Sequence, residues 1–173
     1  MRNLLSTKDQ RQLRLMETLI QNRNWMKLHE LAEKLGCTER ILKSDLNELR
    51  AAFPTIDIQS SVNGIMIDLE VNTSVEDIYQ YFLAHSQSFQ LLEYLFFNEG
   101  LPIYRTIENL HSSNANLYRL GRNITKTLSS QFQIELSFTP TAILGNETDI
   151  RYFFAQYFSE RYYFLDWPFP DLP

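Results

Sequence analysis

Four polar side chains between residues 38 and 54 have the types and the spacing that suit nucleic-acid recognition. They are Arg40, Lys43, Ser44 and Asn47. Positions three and four residues apart share one face of a helix, so these side chains would point the same way. Guanidinium, ammonium, hydroxyl and amide groups donate hydrogen bonds to phosphate oxygens and to base edges. The spacing therefore predicts a helical surface that contacts DNA.

The same segment predicts how this helix is positioned. Thr38 offers a side-chain oxygen to the free amides of the first turn, and Glu39 places a carboxylate at the positive end of the helix. We include both residues in the candidate DNA-binding set. Pro54 ends the helix because it disfavours the α conformation at the preceding residue. The opposite face is predicted to lie on or beside the core and contains Ile41, Leu42, Asp45, Leu46, Leu49 and Phe53.

The neighbouring segments complete a winged helix-turn-helix. Upstream, an apolar stripe predicts a helix that ends at Gly36, where a left-handed backbone carries no Cβ penalty. Before it, Thr7 and Gln10 form a capping-box pattern at the start of a further amphipathic helix. Downstream, isoleucines alternate with polar residues on both sides of a turn at 60–64, which predicts a β-hairpin, the wing. The apolar residues of these three elements are Leu13, Met16, Leu19 and Ile20; Leu28, Leu31, Ala32 and Leu35; and Ile56, Ile58, Ile65 and Ile67.

A second, weaker version of the motif follows further along the chain. Its register is predicted to align Leu42, Asp45 and Leu46 with Leu120, Asn123 and Ile124, and the isoleucines Ile56 and Ile58 with Ile134 and Leu136. Asn114 or Asn116 would cap its second helix, the turn at 111–115 lacks a glycine, and Gly121 interrupts the helix. A chance resemblance between two ordinary helices is the alternative explanation. The candidate DNA-binding residues of this second helix are Asn116, Tyr118, Arg119, Arg122, Asn123 and Lys126.

Positive charge is concentrated in the two segments that contain the predicted motifs. The chain has a net charge of -5, which argues against a general polyanion binder. Residues 1–54 and 101–128, however, each carry a net charge of +3, whereas the segments between and after them carry -7 and -4. A charge run is often only a solvated surface. The coincidence of both positive segments with the predicted motifs favours the DNA-binding interpretation.

Two further helical segments are predicted outside the motifs. Residues 74–97 are rich in aromatic and aliphatic side chains at helical spacing, which predicts a linker helix into the second domain. Residues 147–161 carry Ile150, Phe153, Phe154, Tyr157 and Phe158 on one face and predict an amphipathic helix. Pro168 and Pro170 prevent a helix from continuing after it.

The order of these elements resembles the amino-terminal half of Mga-type transcriptional regulators of Gram-positive bacteria. Three short segments are similar to the region that follows the second DNA-binding motif in that family. They read Gly-Asn-Glu at 145–147, Ile-Arg-Tyr-Phe at 150–153 and Trp-Pro-Phe at 167–169. The resemblance implies a mainly α protein with small β-ribbons and tandem winged helix-turn-helix domains. It also implies promoter binding, control of virulence or carbohydrate genes, and a longer parent protein with phosphotransferase-system regulatory domains and an oligomerisation domain.

We therefore expect three regions. Residues 1–70 would form the first winged domain, residues 71–145 the linker helix and second winged domain, and residues 146–173 an amphipathic helix and the start of a regulatory domain. We expect a fragment of a longer chain whose partners are double-stranded DNA and a second copy of the protein. Neither a membrane-spanning run nor a signal peptide is visible, so we expect a cytoplasmic location.

The sequence offers little for catalysis or metal binding. Five glycines leave no phosphate-cradling loop, and no cofactor motif occurs. The segment starting at His29 resembles a zinc-protease helix, but Glu33 occupies the position of the second histidine. Cys37 is the single cysteine, so the chain can form no internal disulfide. The simplest interpretation of Cys37 is a small buried residue. We expect no enzyme, no cofactor and no metal. The alternative to DNA binding is a winged-helix module that binds proteins through the same surface.

Overall fold

The computed structural model describes residues 1–68 and 74–162, which form two compact units. Residues Thr7–Tyr81 make up the first unit, and residues 1–6 together with the chain from Phe82 onward make up the second. The predicted boundary between residues 70 and 71 lies outside the described residues, as does the segment with Trp167, Pro168 and Pro170. The predicted division at residues 70 and 145 stays a prediction.

The first unit is a winged helix-turn-helix. It contains α1 (Thr7–Asn22), α2 (Leu28–Leu35), α3 (Glu39–Ala52), β1 (Asp57–Ser61), β2 (Gly64–Asp68) and the first part of α4 (Val75–His85). Strands β1 and β2 pair antiparallel with Ile58 opposite Ile67. A third extended piece joins this hairpin, because Met26 exchanges two backbone hydrogen bonds with Ile65. The chain thus forms a three-helix bundle with a β-hairpin attached.

Apolar stripes at helical and strand spacing build the core of this unit. All the apolar residues predicted for α1, α2 and the hairpin are buried except Leu28, which is half-buried. The first helix begins at Thr7 itself, so Thr7 is a helical residue and does not precede the helix as the capping-box pattern required. Helix α3 ends at Ala52, and the capping residue Phe53 has a φ of -125° and a ψ of 70°, outside the α region, as expected before Pro54.

The second unit repeats this arrangement with additional helices. Residues Arg2–Leu4 form a 3₁₀ turn, and the remainder of α4 leads into α5 (Gln87–Phe97), α6 (Ile103–Asn109) and α7 (Asn114–Phe132). A second antiparallel hairpin, β3 (Glu135–Phe138) and β4 (Thr141–Leu144), precedes α8 (Glu147–Tyr162). Helices α6 and α7 with this hairpin correspond to α2 and α3 with the first hairpin. Two winged helix-turn-helix folds are therefore present in tandem, in a mainly α protein with small β-ribbons.

Two sequence expectations for this unit need correction or extension. Residues 74–97 form two helices and not one linker helix, because the chain leaves the helix at Ser86, the residue before α5. The amphipathic helix predicted at 147–161 is confirmed as α8, and Phe153, Phe154 and Tyr157 are buried. It packs on the second winged fold: the Phe153 ring lies 5.0 Å from the ring of Phe132 in α7. The Tyr157 hydroxyl lies 2.8 Å from the Phe89 carbonyl oxygen of α5.

The two helix-turn-helix segments align in a different register from the one predicted from the sequence. Thr38 and Ser113 are the caps that precede α3 and α7, respectively. When the caps are aligned, Leu42 corresponds to Leu117, and both side chains are fully buried, whereas Leu120, the partner predicted from the sequence, is only half-buried. The predicted register does align the starts of the two hairpins. Because α7 is longer than α3, the same register does not align the starts of the two helices. Aligning the hairpins therefore placed the helices almost one turn out of register.

Candidate nucleic-acid interface

Helix α3 presents every predicted DNA-binding residue of the first motif to solvent. Thr38, Glu39, Arg40, Lys43, Ser44 and Asn47 are all exposed. Thr38 caps the helix as expected, since its side-chain oxygen accepts a hydrogen bond of 3.3 Å from the Ile41 amide. The side chains of Arg40, Lys43 and Ser44 make no hydrogen bond or ion pair with any residue that the structure describes. Their donors are therefore available to a ligand.

The buried side of α3 is held by aliphatic packing and by a buried carboxylate. Leu42, Leu46 and Leu49 are almost fully buried. Asp45, which is 2% exposed, receives hydrogen bonds of 2.6 and 3.1 Å from Nε and Nη2 of Arg11 in α1. This hydrogen-bonded ion pair raises the pKa of Arg11. Such a two-point contact fixes the geometry of both partners, so α1 determines the orientation of α3.

Further contacts extend this network along α1. Gln12 donates hydrogen bonds of 3.1 Å to Asp45 and 2.9 Å to Glu48. Lys8 pairs with the same Glu48 carboxylate. Hydrogen bonds from Lys8 and Gln12 lower the pKa of Glu48 below its ordinary value. The two acids on the inner and lateral sides of α3 are thus neutralised by α1, and the outer face retains its positive side chains.

One residue predicted for or beside the buried face of α3 is exposed. The side chain of Ile41 is 40% exposed, because it lies about 100° around the helix from the buried Leu42. Of the two predicted places, on or beside the buried face, Ile41 therefore takes the second. The result is an apolar side chain beside the polar outer face, on the side of the helix that faces α1.

Arg50 joins α3 to the first hairpin, and sequence reasoning did not identify it. Its Nε donates to the Ile58 carbonyl oxygen at 3.0 Å, and Nη2 donates to the Ser60 hydroxyl. Nη1 lies 3.4 Å from Oδ1 of Asn47, so one predicted site residue is already engaged by a neighbour. The signal in the sequence was the spacing of three residues between Asn47 and Arg50, which places both on adjacent positions of one helix face.

A shallow cleft separates α3 from the first hairpin. It has a volume of about 230 Å³, and Lys43, Asn47 and Arg50 form its helix side. Ser60, Ser61 and Gly64 form its hairpin side. Leu28, Leu46 and Ile65 complete the lining, so polar groups from the two elements lie beside apolar ones on one surface of the first unit.

Helix α7 carries the corresponding residues of the second motif. Its cap is Ser113, whose hydroxyl accepts a hydrogen bond of 3.2 Å from the Asn116 amide. Asn114 and Asn116 are helical residues, so neither is the cap predicted from the sequence. The physical reason is that the cap must precede the first helical residue, and Ser113 occupies that place. Tyr118, Arg119, Arg122, Asn123 and Lys126 are exposed, whereas Asn116 is half-buried.

Several residues of α7 are engaged within the second unit. The Asn116 side chain donates to the Ser112 hydroxyl at 2.9 Å and accepts from Arg119 at 2.7 Å. The Tyr118 ring packs edge-on against Phe138 of β3, with ring centroids 5.2 Å apart. Phe138 can lie close to α7 because residue 121 is glycine. A Cβ atom at this position would lie 2.3 Å from the Phe138 ring. Gly121 thus permits packing between helix and hairpin, which offsets its low helix propensity.

The two motifs share one further contact between helix and hairpin. In α7 the Thr125 hydroxyl accepts a hydrogen bond of 3.0 Å from the Leu136 amide of β3. Thr125 corresponds to Arg50 when the caps of the two helices are aligned, and each binds the backbone of the first strand of its own hairpin. Both motifs therefore fix their hairpin from the same position on the helix.

The described residues provide no support for metal chemistry. No group of three or more His, Cys, Asp or Glu side chains in them could hold a metal ion. Burial raises the pKa of the half-buried Cys37 thiol, which keeps it protonated and poorly nucleophilic. Across the described ranges, the helices are too short or too polar to cross a lipid bilayer.

Comparison with known proteins agrees with the two motifs. The model of the M protein trans-acting positive regulator (MGA) helix-turn-helix domain matches residues 6–65, and the model of the Mga helix-turn-helix domain matches residues 71–158. The first match contains α1 to β1 and the first two residues of β2, and the second contains α4 to β4 and most of α8. Together these matches cover most of both winged folds.

Two relatives match over nearly the whole chain. A protein of Streptococcus pneumoniae serotype 4 named as a trans-acting regulator is 49% identical over 171 residues, which is 99% of this chain and 35% of that protein. The capsule synthesis positive regulator AcpA of Bacillus anthracis is 26% identical over 167 residues, which is 93% of this chain and 34% of that protein. The chain spans about a third of the length of these curated relatives. With both of its helix-turn-helix folds matched, the chain belongs to the Mga family of transcription regulators.

Proposed function

We propose that the chain binds double-stranded promoter DNA, with the outer face of α3 as the principal contact surface and α7 as a second one. The observation that supports this most strongly is the state of Arg40, Lys43 and Ser44. They are exposed on a helix whose opposite face is fixed by leucines and by the Arg11–Asp45 pair. Because the helix that carries these donors is already ordered, binding has no cost for ordering its backbone, which favours recognition.

The arrangement fits the chemistry of the major groove. A helix that begins at Thr38 can enter the groove with its first turns, where Arg40 and Ser44 reach base edges and Lys43 reaches phosphates. In the second motif Arg119, Arg122 and Lys126 supply the same kinds of donor. Each positive segment has a net charge of only +3, so one motif alone would bind weakly. Simultaneous contact by both motifs, or by two copies in a dimer, would raise the affinity.

The relatives suggest which genes are controlled. AcpA is named as a positive regulator of capsule synthesis, and the other relative is named as a trans-acting regulator. By extension, we assign to this protein the control of virulence or carbohydrate genes, exercised on DNA in the cytoplasm.

Selection of binding sites from a random duplex library tests the proposal. The 173-residue chain should enrich a defined sequence, and its affinity for that duplex should fall steeply between about 50 and 200 mM salt, because bound phosphates release counterions. A scrambled duplex of equal length should bind more weakly at every salt concentration. Failure to enrich any sequence, or binding independent of salt, would contradict DNA recognition and favour a protein-binding module.

A further inference from the structure

The second unit contains a cleft that no residue of α7 lines. This cleft, the second-unit cleft, lies between α5, the end of α6 and Arg161 of α8, and has a volume of about 580 Å³. Clefts of about 300–1,000 Å³ are the usual size of sites for small molecules. The candidate DNA-contact residues do not account for this cleft, and its size admits a small ligand.

Arg161 supplies the cleft with a cation that has no acceptor in the described part of the chain. Its guanidinium carbon lies 4.7 Å from the centre of the Tyr162 ring, and the Tyr162 hydroxyl donates to Oε1 of Glu93. The guanidinium itself makes no hydrogen bond or ion pair with a residue that the structure describes. A guanidinium is always charged and carries several N–H donors in one plane. Arg161 is therefore held in place with its donors available to an anion.

The carboxylate of the cleft has its own donors. Oε2 of Glu93 accepts a hydrogen bond of 3.1 Å from the Tyr157 hydroxyl, and Oε1 accepts from the Tyr162 hydroxyl. Within the described residues, Glu93 forms no ion pair with Arg161. Because these two residues have opposite charges, a bare anion gains little from the overall charge of the cleft. A ligand therefore needs the guanidinium donors and further contacts.

Amide groups in the cleft offer these further contacts. Nε2 of Gln90 donates to the Ala84 carbonyl oxygen at 3.3 Å, and Nδ2 of Asn98 donates to the Tyr94 carbonyl oxygen at 2.9 Å. Both amides are thus oriented, while their side-chain oxygens bind no described residue. The Asn109 side chain has no described partner either. Free amide oxygens are acceptors for hydroxyl groups.

Aromatic side chains give the cleft an apolar wall. Tyr94 is half-buried, Phe97 is 48% exposed, and both line the cleft beside Leu110. Ring faces can contact the carbon skeleton of a ligand while the polar groups bind its substituents. The lining therefore matches a ligand that combines carbon atoms, hydroxyl groups and a negative charge.

We propose that the second-unit cleft binds a small polyhydroxylated anion, a compound with several hydroxyl groups and one phosphate or carboxylate. Arg161 would bind the anionic group, with the imidazole of His111 as a second donor. The amides of Gln90, Asn98 and Asn109 would bind the hydroxyls. Both phosphate and carboxylate match the geometry of a guanidinium, so the two groups share this chemistry. The inference does not depend on DNA binding.

A ligand in this cleft would contact the turn of the second motif. Asn109 ends α6, and His111 lies in the turn that leads to Ser113, the cap of α7. A ligand that also binds Arg161 would join this turn to α8 and oppose its opening. The backbone amides of residues 110–112 bond to carbonyl oxygens of α6. Their hydrogen exchange should therefore slow when the ligand binds.

Calorimetric titration with four probes tests the class of ligand. The probes are glucose 6-phosphate, gluconate, glucose and inorganic phosphate, each used at up to about 10 mM. We expect at least one of the two polyhydroxylated anions to bind with a Kd below about 1 mM, at least tenfold more tightly than glucose or inorganic phosphate. The anion that binds more tightly distinguishes phosphate from carboxylate. Equal affinity for glucose would overturn the role of the charge, and equal affinity for inorganic phosphate would overturn the role of the hydroxyls.

Two variants locate the ligand in the cleft. Arg161→Gln should weaken binding by about tenfold or more, because charge-assisted hydrogen bonds are lost. Arg151→Gln removes the same charge from an exposed position of the same helix outside the cleft and should bind like the wild type. Asn109→Asp places a carboxylate in the cleft at an exposed position and should weaken binding to a similar extent. This second variant keeps the test decisive if Arg161→Gln does not fold.

Three results would overturn the site. They are no binding of either polyhydroxylated anion, wild-type affinity in either folded cleft variant, and unchanged hydrogen exchange at residues 110–112 in saturating ligand. None of these measurements contains DNA, so each of these results leaves the proposed function intact.

Discussion

Gly36 and His111 occupy the same place in their two motifs, two residues before the helix caps Thr38 and Ser113, and both have a left-handed backbone. Their φ angles are 64° and 46°. Each is followed by a residue whose amide bonds to a carbonyl five residues earlier, at 2.9 Å for Cys37 and 3.1 Å for Ser112. This hydrogen-bond pattern ends a helix with a left-handed residue. The second motif makes the same turn as the first with histidine in place of glycine.

This equivalence predicts opposite effects of two substitutions on stability. A Cβ atom at Gly36 would contact nothing within 4 Å, so Gly36→Ala should cost about 1 kcal/mol through backbone strain alone. His111→Gly should stabilise the second unit by about 0.5–1 kcal/mol, because it removes that strain. Hydrogen exchange of amides in α3 and α7 would measure each unit separately. A loss of protection in α7 of His111→Gly would show that the histidine side chain contributes more than its backbone strain costs.

The buried ion pair behind α3 should be important for the stability of the first unit. Asp45→Ala leaves Arg11, whose side chain is only 20% exposed, without its partner, and we expect a loss of about 2–3 kcal/mol in unfolding free energy. Glu147→Ala breaks the pair between Arg151 and Glu147, whose side chains are 79% and 76% exposed, respectively. That control should change stability by less than about 0.5 kcal/mol. Urea unfolding measures both, and equal effects would contradict the structural role of Asp45.

Gly121 should tolerate no larger residue while Phe138 is present. Alanine has the higher helix propensity, by about 1 kcal/mol, but its Cβ would overlap the Phe138 ring. We expect Gly121→Ala to destabilise the second unit by about 1–3 kcal/mol. The double variant Gly121→Ala with Phe138→Leu should be more stable than the sum of the two single effects predicts, because leucine removes the overlap. Thermal unfolding of the four proteins gives the coupling, and simple additivity would argue against the contact.

Acid should weaken the contact between α1 and α3. The pKa of Glu48 is lowered from an ordinary value of 4.5, so its ionised form stabilises the fold above that pH. This contribution is lost as the pH falls through the lowered folded-state value. The unfolding free energy of wild type should therefore decline more steeply below about pH 4.5 than that of Glu48→Gln. The difference should be small and salt-sensitive, because Glu48 is 46% exposed.

A control for this pH effect is available on α2. Glu33 is an exposed acid outside the network of Lys8, Gln12 and Glu48. Glu33→Gln should keep the wild-type dependence of unfolding free energy on pH, measured in urea at several pH values. If Glu33→Gln and Glu48→Gln flatten the profile equally, the effect is one of general charge and not of the α1 contact.

Much of the fold follows from local patterns in the sequence. Apolar residues at helical spacing predict α1, α2 and α3, and the alternating isoleucines at 56, 58, 65 and 67 predict the first hairpin. The cap at Thr38, the turn at Gly36 and the end at Pro54 were also predictable, because each depends on the chemistry of one or two neighbouring residues. These local features suffice to place Arg40, Lys43 and Ser44 on the outer face.

The remaining features depend on contacts between distant residues. Helical spacing places Asp45 on or beside the inner face of α3, but only its pairing with Arg11, 34 positions earlier, explains how a carboxylate is buried there. Gly121 suggests a weak helix until Phe138 is placed against it. The register of the second motif was misjudged because Ser113 was passed over as the cap and because α7 is longer than α3. Arg50 was missed because its partners, Ile58 and Ser60, lie on the wing.

The most direct test of the account is the affinity of Arg40→Ala and Lys43→Ala for the selected duplex, compared with Arg14→Ala, an exposed residue of α1. All three variants remove one positive charge, so a difference between them reports on position and not on net charge. We expect about a tenfold loss of affinity or more for the two α3 variants, with unchanged thermal stability, and little change for Arg14→Ala. Wild-type affinity in both α3 variants would show that α3 is not the helix that contacts DNA.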